Sequence, residues 1–186
     1  MEGLRAITYR CNVRCVMCST WQHPSAPANE ITARDLRSLP EMEFANITGG
    51  EQFMRDDIAD VVNMVAHQSR RVVVSTNGYF TDRVVALAER FPRIGVRVSL
   101  EGLPAANDQL RGLPDGFDHG LRTILQLRAR GMKDIGFGIT LSDRGADDLL
   151  ELYELTDAMG VEFARRPAVG LPSRAAVGRT VGVVEA

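Results

Sequence analysis

The sequence predicts an α/β fold in which parallel strands alternate with helices to form a partial (β/α)6-type, TIM-like barrel. Two observations predict it. Short β-branched or apolar runs alternate along nearly the whole chain with segments whose apolar residues recur three or four positions apart, the pattern of successive βαβ units. Polar, glycine-rich stretches follow the strands, at 10–19, 49–51, 77–78, 101–102 and 142–143. In a parallel sheet all of these emerge at the C-terminal edge, and barrel curvature gathers them onto one rim better than an open sheet does.

The expected strands are Ala6–Tyr9, Phe44–Thr48, Val72–Thr76, Ile94–Leu100, Ile135–Thr140 and, more weakly, Val161–Ala164. Each is short and rich in β-branched residues. The first helical pattern carries Ile58, Val61, Val62 and Val65 on one face, and the second Val84, Leu87, Ala88 and Phe91. Phe117, Leu121, Ile124 and Leu125 mark a third, and Leu149, Leu152 and Tyr153 a fourth. Thr32 with Asp35 matches a capping box with a shorter acid, which predicts a short helix start there. The segment 103–112 reads as a long polar connection, with Asn107, Asp108 and Arg111 expected to pair within it.

The 186 residues carry 24 acidic and 22 basic side chains, and the pI is near 5.9. Such a balance gives no electrostatic reason to expect nucleic acid or an anionic membrane as partner. No run of apolar residues is long enough to span a bilayer, and the N-terminus lacks a basic start with an apolar core, so a cytoplasmic protein is expected. Residues 1–164 are expected to form the barrel domain and 165–186 a low-complexity tail, since 18 of those 22 tail residues are Arg, Ala, Val, Gly or Pro.

Cys11, Cys15 and Cys18 are the three cysteines, all within eight residues. An odd number so closely spaced makes no disulfide framework, and metal ligation explains the clustering. Three thiolates are one ligand short of a closed zinc site or a fully protein-ligated cubane. Either His23 completes a Cys3His zinc site, or one iron of a four-iron cluster keeps an open position. Glycines 49 and 50 permit close backbone approach to a ligand.

The run Cys11-Asn12-Val13-Arg14-Cys15-Val16-Met17-Cys18 resembles the cluster motif of the radical S-adenosylmethionine (radical SAM) superfamily, and it follows the first strand as in that family. Ile47-Thr48-Gly49-Gly50-Glu51 resembles the family's segment after strand two, Ser75-Thr76-Asn77-Gly78 that after strand three, and Ser99-Leu100-Glu101-Gly102 that after strand four. The glycines of Ile135-Gly136-Phe137-Gly138-Ile139 resemble its fifth strand.

The resemblance implies that Cys11, Cys15 and Cys18 hold three irons of a [4Fe-4S] cluster and that S-adenosylmethionine chelates the fourth. One-electron reduction then splits the sulfonium into methionine and a 5′-deoxyadenosyl radical, which takes a hydrogen atom from substrate. By the same likeness Gly49, Gly50 and Glu51 form the methionine-binding edge, Asn77 and Ser99 reach the ribose or methionine part, and Met17 packs near the adenine. An electron donor such as a flavodoxin or ferredoxin is implied, together with an unknown substrate.

Two departures stand out. Gln52 occupies a position where many relatives have proline, which leaves the loop slightly less restrained. The strand and helix pattern also stops near Arg165, so the chain is expected to be a truncated or frame-shifted relative. Three functions are therefore carried forward: an S-adenosylmethionine-cleaving enzyme, a cluster- and cofactor-binding module without catalysis, and a zinc-stabilised α/β protein.

Overall fold

The computed structural model describes residues 2–141 and 148–167. Six strands, β1 (Glu2–Thr8), β2 (Met42–Gly49), β3 (Ser69–Thr76), β4 (Gly95–Ser99), β5 (Ile135–Leu141) and β6 (Glu162–Pro167), form one sheet. Every neighbouring pair is parallel, and the spatial order is the chain order. This order separates the two topologies that periodicity leaves open. A doubly wound sheet reverses its order at a switch point, whereas crossovers of one hand in sequential order place every helix on the same face and curve the sheet around the other. The result is a partial barrel in which, among the described residues, β1 does not pair with β6.

The helices are α1 (Ile58–His67), α2 (Thr81–Arg90), α3 (Pro104–Arg111), α4 (Gly116–Ala129) and α5 (Leu149–Met159). Strand residues Ala45, Ile47, Val72, Val74, Val96, Val98, Ile135, Phe137 and Ile139 face them and pack with Val61, Val62, Val65, Val84, Leu87, Ile124, Leu127 and Leu152 in one buried core. The alternate residues line the concave side, where strand ends carry Thr48, Ser75, Ser99 and Thr140. At the other end of the strands the buried Arg97 is neutralised by Asp134 at 2.7 Å and by Glu162.

Most observed strands run past the expected ones at one end or both, whereas β4 falls one residue short at each end. β1 begins at Glu2 and β3 at Ser69, because pairing with neighbours carries a strand past its apolar core. β6 runs through Pro167, beyond the expected boundary at 164, and the rest of the expected tail lies outside the described residues, as does 142–143. Among the described residues no helix is long and apolar enough to cross a membrane.

Two local expectations are corrected. The segment 103–112 is a helix, α3, rather than a polar loop. Its buried positions are Asn107, Leu110 and Arg111, correctly spaced for one face, but two of the three are polar and carry no hydrophobic period. Pro104 in its first turn and Gly112 just past its end, at φ 62°, were the available signals. The Thr32–Asp35 capping pair does form, with Thr32 N–H donating to Asp35 Oδ2 at 2.9 Å and Asp35 N–H to Thr32 Oγ1 at 3.3 Å. It opens only a 3-10 turn, Asp35–Ser38, in place of the expected helix.

Among the described residues no α-helix lies between β1 and β2. That connection is held by ion pairs instead. Glu30 accepts from Arg10 Nε at 2.9 Å, Ser25 Oγ at 2.6 Å, Thr8 Oγ1 and Arg55 Nη1. Arg55 also donates to the carbonyls of Ile7 at 2.6 Å and Ile31 at 3.0 Å. Burial raises the Glu30 carboxyl, but the hydrogen bonds from Arg10, Ser25 and Thr8 outweigh it and bring its pKa down to about 2.

Candidate functional site

The cysteine loop begins where β1 ends, and the loop after β2 anchors it. Gly50 N–H donates to Thr8 O and Glu51 N–H to Arg10 O, both at 2.7 Å, so strand-like pairing continues past the sheet. Glycine is required for this approach. Gly49 sits at φ 130°, where a Cβ would lie 2.2 Å from Thr8 O, and a Cβ on Gly50 would lie 2.1 Å from Arg10 O.

Three further bonds fix the rest of the loop. Asn77 Nδ2 donates to Asn12 Oδ1 at 2.7 Å, from the turn after β3. Val16 N–H donates to Leu110 O at 2.8 Å, at the end of α3. Trp21 Nε1 donates to Cys15 O at 3.1 Å, folding the chain beyond Cys18 back over the loop.

A cavity of about 220 Å3 opens between this loop and the strand ends. Cys11, Cys15, Cys18 and Met17 line it from the loop, Gly49 and Gly50 from the β2 end, Asn77 from the β3 end and Ser99 from the β4 end. Of the cluster and cofactor residues expected from sequence, Glu51 alone is absent from the wall. It is fully buried behind it, with Oε1 accepting from Phe53 N–H at 3.1 Å and Thr76 Oγ1 at 2.9 Å, and Oε2 from Asn77 N–H at 2.7 Å. The carboxylate therefore ties the β2 and β3 turns together.

Sequence reasoning missed a charged pair in the same wall. Glu101, after β4, accepts from Arg111 Nη1 at 3.1 Å, and both side chains are nearly buried and line the cavity. Thr140 N–H donates to Glu101 Oε2 at 2.8 Å, which joins β5 to the pair. Concave-face counting would have found Thr48, Ser75 and Thr140, since each stands at or near a strand end. Below the wall Ser75 Oγ donates to Asn46 Oδ1 at 2.9 Å, and the buried Asn46 Nδ2 has no partner among the described residues.

Burial dominates the titration of the site. It pushes the Cys11 thiol up to about 11 and raises Cys15, where Arg111 opposes it. It also raises Glu51 and Glu101, the latter against Arg111. A metal centre must displace these thiol protons as it binds, which couples its uptake to pH.

The donor set fits an iron–sulfur cluster. All three thiols are free and surround one cavity on one loop. Among the described residues no three Cys, His, Asp or Glu side chains converge on one ion position, which a Cys3His zinc site demands and a cluster with a different iron per thiolate does not. His23, the fourth ligand of the zinc reading, is exposed and lies outside the cavity lining. This geometry leaves the zinc reading without its fourth ligand.

Comparison with known proteins agrees with the fold and with the family the motifs resemble. The family model described as the radical SAM superfamily matches residues 6–156. The chain is 29% identical over 160 residues to the Fe-coproporphyrin III synthase of Methanosarcina barkeri, covering 81% of this chain and 39% of that protein. It is 30% identical over 165 residues to the pre-heme d1 synthase of Dinoroseobacter shibae, covering 84% and 40%. With mycofactocin maturase MftC of Mycobacterium tuberculosis it shares 29% over 161 residues, covering 83% and 41%. Among solved structures, Streptococcus suis SuiB bound to S-adenosylmethionine matches with a TM-score of 0.77 at 16% identity, over 92% of this chain and 41% of that one, a likeness of fold. The chain thus spans about two-fifths of the length of these relatives.

Proposed function

This chain belongs to the radical SAM superfamily, and we propose that Cys11, Cys15 and Cys18 hold a [4Fe-4S] cluster beside a pocket for S-adenosylmethionine, in an enzyme that abstracts hydrogen from a substrate. Together cluster and S-adenosylmethionine supply one-electron cleavage of the sulfonium to a 5′-deoxyadenosyl radical; orientation and exclusion of water fall to the protein. The observation that carries the reading is that three free thiols and a glycine-lined edge open onto one cavity.

The roles of the residues follow from their chemistry. The backbone carbonyls of Gly49 and Gly50 accept from the cofactor's ammonium, and Glu51 keeps that edge in place from behind. Arg111, with Nη1 engaged by Glu101, offers the rest of its guanidinium to a carboxylate, the complementary group of an amino acid. Asn77 and Ser99 hydrogen-bond the ribose or methionine part. Met17 and Trp21 cover the cavity with apolar surface, a soft thioether suiting an irregular ligand face.

A one-electron donor of the flavodoxin or ferredoxin kind would supply the electron. The relatives are named as an Fe-coproporphyrin III synthase, a pre-heme d1 synthase and a mycofactocin maturase, names that share no single product, so no substrate is assigned beyond hydrogen abstraction. The test is anaerobic reconstitution with iron and sulfide, followed by S-adenosylmethionine and dithionite and an assay for 5′-deoxyadenosine. Its formation is expected. Iron uptake without cleavage would favour a binding module, and zinc uptake in place of iron would overturn the reading.

A further inference from the structure

We propose that Thr20 is a positioning residue that raises the reduction potential of the cluster by donating hydrogen bonds to the Cys18 sulfur; this rests on the cluster assignment above. Thr20 lines the same cavity. Its backbone nitrogen lies 3.4 Å from Cys18 Sγ and its hydroxyl oxygen 3.2 Å, so one residue brings two donors to one sulfur. In the free thiol the S–H donates to the hydroxyl. A thiolate bound to iron has no proton to give, so at the same separation the hydroxyl is the donor and the sulfur the acceptor.

The surroundings hold Thr20 in that position. It opens the 3-10 turn Thr20–Gln22, closed by Gln22 N–H on Ser19 O at 3.0 Å and His23 N–H on Thr20 O at 3.1 Å. The next residue, Trp21, is pinned through its indole to Cys15 O at 3.1 Å. Cys11 differs, because the donor at its sulfur is the backbone N–H of Val13, which a side-chain substitution leaves in place. Among the described residues, the Thr20 hydroxyl is the removable donor on a cluster ligand.

Reduction adds one electron, taken from the external one-electron donor, to a cluster whose charge is spread over its sulfurs. Donors to a ligating sulfur stabilise that extra negative charge more in the reduced than in the oxidised form, and hydrogen bonds to the sulfurs are among the factors that set such potentials. Thr20 therefore makes the cluster easier to reduce.

The test is a redox titration, followed by electron paramagnetic resonance, of the anaerobically reconstituted wild-type chain and the variants Thr20→Val, Thr20→Ala and Thr20→Ser. Valine keeps the branched shape and removes the hydroxyl. Thr20→Val and Thr20→Ala are expected to bind iron and sulfide as the wild type does, with a more negative midpoint potential, and Thr20→Ser to restore it. A wild-type potential in fully loaded Thr20→Val, or a Thr20→Ser potential as low as that of Thr20→Val, would overturn the proposal. Loss of the cluster from both Val and Ala variants would overturn it in favour of a purely structural role. A wild-type chain that takes up no cluster would overturn the cluster assignment as well, which separates the two failures.

Discussion

Asn77 donates its backbone N–H to Glu51 Oε2 at 2.7 Å, across two turns that follow different strands. The same Asn77 donates through Nδ2 to Asn12 in the cysteine loop, so Glu51 controls the loop at one remove. A single buried acid thus sets the spacing of three rim segments around the cavity.

Replacing Glu51 by Ala strands the N–H groups of Phe53 and Asn77 and the hydroxyl of Thr76 inside the protein. An unsatisfied buried donor costs roughly 1–3 kcal/mol, so a loss of about 3 kcal/mol in urea unfolding is expected. Glu51→Gln keeps one acceptor and is expected to lose about 1 kcal/mol.

Glu30 gives a pH dependence with a definite sign. Its folded carboxyl titrates at about 2 against an ordinary value of 4.5, so it contributes stability above about 4.5 that is lost as the pH falls towards 2. The contribution is of the order of 3 kcal/mol. Unfolding measured from pH 6 down to about 2 is expected to show a shallower acid loss in Glu30→Gln than in wild type.

Arg111→Met removes the counter-charge of the nearly buried Glu101. Breaking such a pair from one side costs roughly 3–5 kcal/mol, whereas replacing both partners costs much less. A double-mutant cycle with Glu101→Leu, read by chemical denaturation, is expected to recover much of the loss. Additive losses would show that the two side chains act independently.

The cluster ligands and the histidine of the zinc reading separate in absorbance. Cys15→Ala is expected to abolish the brown chromophore after anaerobic reconstitution, because two thiolates cannot hold the cubane. His23→Ala is expected to keep it at wild-type intensity. An unchanged spectrum in Cys15→Ala would refute the ligand assignment.

Gly50→Ala places a Cβ 2.1 Å from the Arg10 carbonyl oxygen, a backbone atom that cannot swing aside. Overpacking of this kind costs roughly 1–3 kcal/mol, and part of it is expected to appear as about tenfold weaker S-adenosylmethionine binding by calorimetry on the reconstituted chain.

Much of the site was legible because its chemistry is local. Cys11, Cys15 and Cys18 share one loop, and Gly49 and Gly50 mark a turn that no larger residue fits. The pair of Arg111 with Glu101 was less legible, because α3 buries Asn107 and Arg111 where a helical pattern is sought in apolar residues. Glu51 was read as facing the cofactor edge, whereas its side chain turns inward, a direction set by donors on Thr76 and Asn77 in the next turn of the sheet.

By itself the sequence determined that strands and helices alternate, where the cysteine loop falls, and which family the motifs resemble. These are properties of short windows, fixed by side-chain period and by glycine's freedom at turns. Tertiary structure alone decided that strand order is sequential, that Arg111 stands in the wall lined by Cys15, and that Glu51 lies behind that wall. Strand pairing and burial join residues far apart in the chain, and their outcome depends on which buried polar groups find partners once the sheet has curved.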